Sequence, residues 1–249
     1  MARRIAGSLL LAVGALLVAS LIGSTAARAT VNHGDFVGTS VTFQDVEETT
    51  QADAPPDPEP LYGPPTIAGN QLTFTPTGFI ATATGGASDL ISSILTTRIV
   101  GNTPTDTIDV IIINEFGDVT LTGPGGAPTN ASASIGGFVT VLETTTGPII
   151  PVVIGFSGTF SSAQPFELPG DAGTQLWSGT AVIDIAAVVP NATDVLLQYD
   201  DTLDANSEAS STATIEKTDV TITVVPEPSV ALLFGSGLAL IALARRQRR

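Results

Sequence analysis

Apolar and polar residues alternate along most of the chain between residues 30 and 225. From Trp177 to Ile185 every second residue is apolar or small, and Val220 to Val224 repeats the pattern. A period of two predicts strands with one buried face. Val110 to Ile113 and Ile149 to Phe156 are continuous apolar runs, which are typical of strands buried on both faces.

Shorter alternating segments predict further strands. They are Phe36 to Phe43, Gln71 to Thr75, Phe79 to Thr84, Ile135 to Leu142 and Val195 to Tyr199. Asp89 to Thr97 is ambiguous between helix and strand, and the β-branched residues after it favour a strand. Turn signals such as Gly85-Gly86, Gly117-Asp118 and Gly123-Pro124-Gly125-Gly126 separate them. Many short strands at this spacing predict an all-β body over residues 30–224, an antiparallel β-sandwich or jelly roll of about 10–12 strands.

One segment of the body differs from the rest. Glu47 to Pro65 reads EETTQADAPPDPEPLYGPP, which is acidic, rich in proline and poor in residues to bury. We predict a long surface loop over residues 47–65. A linker between an N-terminal strand and the rest is the alternative. The loop is favoured, because the body residues before this segment are too few to form a domain.

The first 29 residues have the layout of a secretory signal peptide. Arg3 and Arg4 precede an apolar stretch over residues 5–22, and small residues lead to Ala27-Arg28-Ala29. Ala27 and Ala29 occupy the two positions that signal peptidase recognises, so cleavage is predicted after Ala29. A retained membrane anchor is the alternative, and the small residues disfavour it.

The last residues, 225–249, combine three features in a fixed order. The first is a triplet that ends the strand pattern, Pro226, Glu227 and Pro228. The second is the uncharged apolar segment 229–244, a predicted transmembrane helix of about 24 Å, slightly short of a usual span. The third is a cluster of arginines, Arg245, Arg246, Arg248 and Arg249. By the positive-inside rule this cluster stays in the cytoplasm and stops the chain there.

The triplet, the short apolar helix and the arginine cluster together resemble the PEP-CTERM sorting domain. That domain occurs in exported proteins of Gram-negative bacteria that produce extracellular polysaccharide. The resemblance covers residues 225–249. It implies a precursor anchored in the inner membrane, which an exosortase processes near the triplet before the protein reaches the cell surface or extracellular matrix. An ordinary C-terminal membrane anchor is the alternative.

Short segments of the body also resemble proteins of this group. They are Asp35 to Gly38, Tyr62 to Pro65, Gln198 to Glu208 and Thr214 to Lys217. Proteins of the group share no established biochemical activity. The resemblance therefore implies a family and leaves the reaction, if there is one, open.

Charge distinguishes the body from the two ends. The body contains all but one of the 24 acidic residues, and only two of the nine basic residues, Arg98 and Lys217. Such a surface repels nucleic acid and anionic lipid and favours solubility. The chain contains no cysteine, which excludes disulfides, thiol nucleophiles and zinc-thiolate sites.

Calcium is the one cofactor that the residue pattern suggests. The candidate ligands alternate along one acidic segment and are Asp200, Asp204, Asn206 and Glu208. The segment lacks the glycine and the twelve-residue loop of an EF-hand, so an ordinary acidic turn between two strands is favoured. His33 is the only histidine, and we predict a surface position rather than a role in a catalytic triad.

Three functional hypotheses remain. The leading one is a non-enzymatic exported protein of the cell envelope or extracellular matrix, whose partners are signal peptidase, the secretion machinery, an exosortase and extracellular polysaccharide. The second is a carbohydrate-binding module that uses exposed aromatic residues, for which Tyr62, Trp177 and Tyr199 are the Tyr and Trp candidates. The third is a secreted hydrolase with paired carboxylates, although no spacing marks such a pair.

Overall fold

The computed structural model describes residues 28–51 and 60–226, and this part of the chain consists of strands and their connections. Its 15 strands are β1 (Arg28–Asn32), β2 (Phe36–Val37), β3 (Val41–Gln51), β4 (Thr66–Ala68), β5 (Gln71–Phe74), β6 (Ile80–Thr84), β7 (Ser88–Gly101), β8 (Val110–Thr122), β9 (Asn130–Thr144), β10 (Gly147–Ser157), β11 (Thr159–Phe160), β12 (Phe166–Glu167), β13 (Gly173–Asp184), β14 (Ala192–Asn206) and β15 (Thr212–Val225). The predicted signal segment up to residue 27 and the predicted helix 229–244 lie outside the described residues. Within them, no helix is long and apolar enough to cross a membrane.

The strands form two antiparallel sheets. Sheet A has the order β1-β3-β7-β14-β9-β10, with β2 beside β3 and β12 beside β9. Sheet B has the order β11-β13-β8-β15-β5-β4, with β6 also paired to β15. This arrangement confirms the predicted all-β fold with two antiparallel sheets. The described strands outnumber the prediction, because the predicted strand Phe36 to Phe43 is divided between β2 and β3, and short pairings such as β11 and β12 have no alternating pattern to reveal them.

The hydrophobic core lies between the two sheets and receives alternate residues from both. Leu203 of β14 and Ile215 of β15 are fully buried, and they belong to one continuous cluster of buried residues. The expected burial of the apolar run Val110 to Ile113 on both faces is wrong. Ile111 and Ile113 face the core, whereas Val110 and Ile112 are only half-buried, because sheet B leaves its outer face uncovered.

The second continuous apolar run was also expected to be buried on both faces, and this expectation is wrong. It forms β10, which is the edge strand of sheet A and pairs with β9. Ile150 is 89% exposed and Val153 is 62% exposed. Pro148 and Pro151 lie in this strand, and proline on an edge strand hinders pairing with a further chain.

The predicted surface loop over residues 47–65 begins too early, and its last residues are not all exposed. Residues 47–51 belong to β3, where they pair with both β1 and β7. Leu61 and Tyr62 are fully buried in the core. The buried carboxylate of Glu48 accepts hydrogen bonds from the backbone N–H groups of both residues. Glu48, which the sequence suggested was part of a solvated acidic segment, therefore holds Leu61 and Tyr62 against β3.

The predicted acidic turn after Tyr199 is also wrong. Strand β14 continues to Asn206 and pairs with β7 and β9 on its two sides. Asp200 faces solvent, whereas the next residue, Asp201, is fully buried. Strand β15 ends at Val225, directly before Pro226, as the missing N–H of proline predicts.

The predicted turn at Gly117-Asp118 is wrong, because both residues lie inside β8. A Cβ atom on Gly117 would lie 2.0 Å from the backbone oxygen of Glu216 and 2.7 Å from the indole ring of Trp177. The glycine therefore allows the buried Trp177 ring to pack against β8. Glycine is present at position 117 because a side chain there would clash with the Trp177 ring, and not because the chain turns.

We expect Gly117→Ala to destabilise the fold by about 3 kcal/mol, because backbone and indole atoms must move to admit the methyl group. Gly136→Ala is the matched control, since a Cβ there meets only one atom, at the ordinary distance of 3.6 Å. Chemical denaturation of both variants tests the expectation. Equal stability of the two variants would contradict the packing described for Trp177.

Candidate functional site

The only lysine of the chain, Lys217, is buried between the two sheets. It lies in β15 where the register against β8 shifts between Lys217 and Asp219. Its Nζ atom is 2.8 Å from Glu115 Oε2 and in direct contact with Asp201 Oδ2. The same atom lies 4.8 Å from the centre of the Phe79 ring, a cation–π distance. Glu115 belongs to β8 and Asp201 to β14, so the ammonium group connects both sheets.

Two tyrosines complete the environment of Asp201. The hydroxyl groups of Tyr62 and Tyr199 donate hydrogen bonds to Asp201 Oδ2 over 3.0 and 3.1 Å. The Tyr62 ring packs edge-on against Phe79, with 5.2 Å between ring centroids. By contrast, Asp201 Oδ1 and Glu115 Oε1 have no hydrogen-bond partner among the described residues. We call Glu115, Asp201 and Lys217 the core triad.

A second buried contact positions Tyr62. Glu48 holds the backbone of Tyr62, as described above, and its Oε2 atom lies 3.4 Å from His33 Nε2. The predicted surface position of His33 is wrong, because its side chain is only 5% exposed. The prediction assumed that residues close to the mature N-terminus are poorly ordered, whereas His33 directly follows β1, which is paired with β3.

Burial controls protonation within the core triad. Burial raises the pKa of Glu115, and the neighbouring Lys217 only partly opposes that effect. Burial lowers the pKa of Lys217 to about 8, with Glu115 acting in the opposite direction. Burial and the neighbouring carboxylates raise the pKa of Tyr62 well above its ordinary value. The acid and the amine are thus brought closer in proton affinity than they are in water.

The core triad is closed to solvent. The side chains of Lys217, Glu115 and Asp201 have no exposed surface. An external substrate therefore has no path to these groups in this conformation. Their chemistry is limited to reactions among the members of the triad themselves.

An open depression of about 370 Å³ lies on the outer face of sheet A. It is lined by β9 and β14, and its polar side chains include Ser134, Gln198, Asp200 and Thr202. Phe138 borders it and is 52% exposed. An apolar ring beside several hydrogen-bonding groups is a common composition for a ligand site.

The aromatic residues that the sequence offered for sugar binding do not line this depression. Tyr62, Trp177 and Tyr199 are all buried in the core, so their assignment as exposed sugar-binding residues is wrong. Their size and apolar surface favour the interior, and each hydroxyl or indole N–H finds a partner there. Phe138 was missed, because an exposed phenylalanine has no distinct signal in a strand of alternating residues.

The candidate calcium ligands are spread along β14 and the turn after it. Asp200 and Asp204 are four residues apart on one strand, or about 13 Å. Asn206 donates to Asp204 Oδ2 over 3.1 Å, and Glu208 Oε2 accepts a hydrogen bond from the Gly126 N–H. Within residues 28–51 and 60–226, no group of three or more His, Cys, Asp or Glu residues could hold a metal ion.

The predicted targeting residues lie almost entirely beyond the described ranges. Ala27, Glu227, Pro228 and the four terminal arginines are outside them. Ala29 belongs to β1, where it pairs with Thr50 of β3, and Pro226 is the last described residue. Strand β1 therefore extends across the predicted cleavage point.

Comparisons with known proteins add no established relationship. No family model matches the chain, and no curated protein matches it. The xylan-binding module CBM15 is 14% identical over 80% of this chain and 98% of its own, with a TM-score of 0.23. The family 11 xylanase from Neocallimastix patriciarum is 8% identical over 80% of this chain and 100% of its own, with a TM-score of 0.22. The VP2 subviral particle of infectious bursal disease virus is 12% identical over 89% of this chain and 68% of its own, with a TM-score of 0.15. At these scores the likenesses support no inference about fold or function.

We expect Lys217→Met to destabilise the protein by at least about 3 kcal/mol at neutral pH, because two buried carboxylates lose their cation. Without the cation, burial of Glu115 acts unopposed and raises its folded-state pKa above the unfolded value. The stability associated with its protonation is then fully present below the unfolded pKa and lost as pH rises through the folded pKa. The deficit should therefore be smaller at acidic pH.

Denaturation of Lys217→Met at acidic and neutral pH measures this effect. The triple variant with Glu115→Gln, Asp201→Asn and Lys217→Met is the control, and it should recover part of the lost stability. It removes the buried charges while leaving acceptors for the two tyrosines. A loss below about 1 kcal/mol, the same at both pH values, would be typical of an exposed ion pair and would contradict the burial of the triad.

Proposed function

We propose that the chain is an exported, non-enzymatic protein of the cell envelope or extracellular matrix. The N-terminal segment directs export through the secretion machinery and signal peptidase. The C-terminal triplet, apolar segment and arginine cluster hold the precursor in the inner membrane until an exosortase releases it. The acidic β-sandwich is the part that remains at the cell surface or in the matrix.

The observation that carries the non-enzymatic part of this proposal is the sealed core triad. A glycosidase of the paired-carboxylate type needs both acids beside a bound sugar. Glu115 and Asp201 both contact the ammonium group of Lys217, but neither carboxylate has any exposed surface that a sugar could reach. We assign the core triad a structural role, because its ion pairs connect sheet A to sheet B.

The sequence supports the export and sorting parts. Three features of the tail occur in the required order within residues 225–249, and small residues mark the predicted signal cleavage point. The strongly acidic body also suits a protein that must stay soluble outside the cell.

We expect the mature protein from cells with an active exosortase to end near the triplet, upstream of Arg249. Replacement of Pro226, Glu227 and Pro228 by alanine should leave the tail attached and the protein in the membrane fraction. Cell fractionation and mass determination of the C-terminus test this, with exosortase-deficient cells as control. An intact C-terminus ending at Arg249 in competent cells would contradict the proposal.

A second candidate function is carbohydrate binding in the exopolysaccharide matrix. The observation that favours it is the depression on sheet A, where the exposed ring of Phe138 borders Gln198, Asp200 and Thr202. An apolar ring can cover a sugar face while the polar groups bind its hydroxyls. This function is compatible with a non-enzymatic role.

If the depression binds a glycan, Phe138→Ala should weaken that binding at least about tenfold, a loss of roughly 1.4 kcal/mol. Phe116→Ala is the matched control, because Phe116 is 48% exposed but belongs to β8 of the other sheet. A glycan array selects the ligand, and calorimetry then compares the variants. Absence of glycan binding on the array, or an equal loss of glycan affinity in both variants, would contradict carbohydrate binding at this depression.

A further inference from the structure

We propose that Lys217 and Asp201 join through an intramolecular amide bond between the lysine Nζ and the aspartate Cγ, with Glu115 as the catalytic residue that transfers the protons. The bond would cross-link β15 of sheet B to β14 of sheet A. It is a covalent modification of the chain by itself and needs no external substrate.

The arrangement of the core triad supports this reaction first through proximity. The Nζ atom contacts the Asp201 carboxylate directly, and both groups are held by packed strands in a fully buried site. Holding a nucleophile against its target replaces a bimolecular encounter by a unimolecular step. Since Lys217 is the only lysine of the chain, no other lysine amine can compete with it.

Protonation supports the reaction next. An ammonium ion cannot attack a carboxylate, but the neutral amine and the neutral acid contain the same number of protons as the ion pair. Burial disfavours both charges and shifts the pair toward the neutral forms. The lowered pKa of Lys217 has this cause. Burial also raises the pKa of Glu115, which makes its carboxylate a stronger proton acceptor for the amine.

The reaction is balanced within the site. The lone pair on Lys217 Nζ attacks Asp201 Cγ, and the Glu115 carboxylate, 2.8 Å from Nζ, accepts the proton that the nitrogen releases. The developing negative charge on Oδ2 is stabilised by the hydroxyl groups of Tyr62 and Tyr199. The leaving oxygen is Oδ1, which already carries the proton of the neutral Asp201 acid. Glu115 passes its newly gained proton to Oδ1, the C–O bond breaks, and one water leaves. A C–N bond replaces a C–O bond, and nothing is oxidised or reduced.

The surroundings also favour the product. The triad is lined by apolar and aromatic side chains such as Phe79 and has no exposed surface, so water has little access for the reverse hydrolysis. The chain has no cysteine and cannot form a disulfide. An amide between the sheets would give an exported protein a covalent link by another route.

Intact-mass measurement of the purified full chain under denaturing conditions tests the proposal, after peptide mapping has defined both ends. The mass should be lower than the sequence requires by one water molecule. Trypsin should then fail to cut the denatured protein after Lys217, because acylation removes the positive charge that trypsin recognises. A mass equal to that calculated from the sequence, together with tryptic cleavage after Lys217, would overturn the proposal. Both measurements use the wild-type protein, so the test does not depend on whether a variant folds.

Variants identify the residues that form the bond. Lys217→Met should show no loss of water, and a loss that persists in it would overturn the proposal by placing the dehydration elsewhere. Glu115→Gln should slow or abolish the loss, whereas unchanged formation of the bond would overturn the role of Glu115. Asp200→Asn is the matched control, since the adjacent Asp200 faces solvent and should leave the bond intact.

Discussion

The structure depends on the burial of one lysine between two carboxylates. Lys217 comes from sheet B, and its ammonium group meets Asp201 from sheet A and Glu115 from its own sheet. Each carboxylate alone would be costly at its position, because an isolated buried charge loses its hydration without compensation. Each group is compensated only while the other two are close, so the triad favours one relative position of the two sheets. Tyr62 and Tyr199 extend this polar contact to the surrounding aromatic core.

The same constraint connects the fold with the proposed function. Because the triad is sealed, an external ligand must bind elsewhere, and the depression beside Phe138 lies on the outer face of sheet A. Under the proposed export, the protein must keep its fold outside the cell without disulfides. A core in which Lys217 and Asp201 first meet as a buried ion pair and then join through the proposed amide bond suits that location.

The strand pattern could be predicted from sequence wherever one face of a strand is buried, as from Trp177 to Ile185. It failed at Ile150, because an apolar run does not show whether a strand lies at a sheet edge. It also failed after Tyr199, where alternating acids suggested a turn although β14 continues. The core triad was not predicted, because its members are far apart in sequence. One signal was available. Lys217 lies two residues after the buried Ile215 in the same strand, so the alternation of side chains places its charge on the inward face.

The most direct test of the central claim uses the fact that the chain has one lysine. Labelling with 15N-lysine leaves a single labelled side-chain nitrogen, whose chemical state NMR can report in the folded protein. We expect an amide N–H signal from Lys217 with a coupling to the carboxyl carbon of Asp201. A freely exchanging ammonium signal, with no such coupling, would contradict both the covalent bond and the sealed environment of the triad.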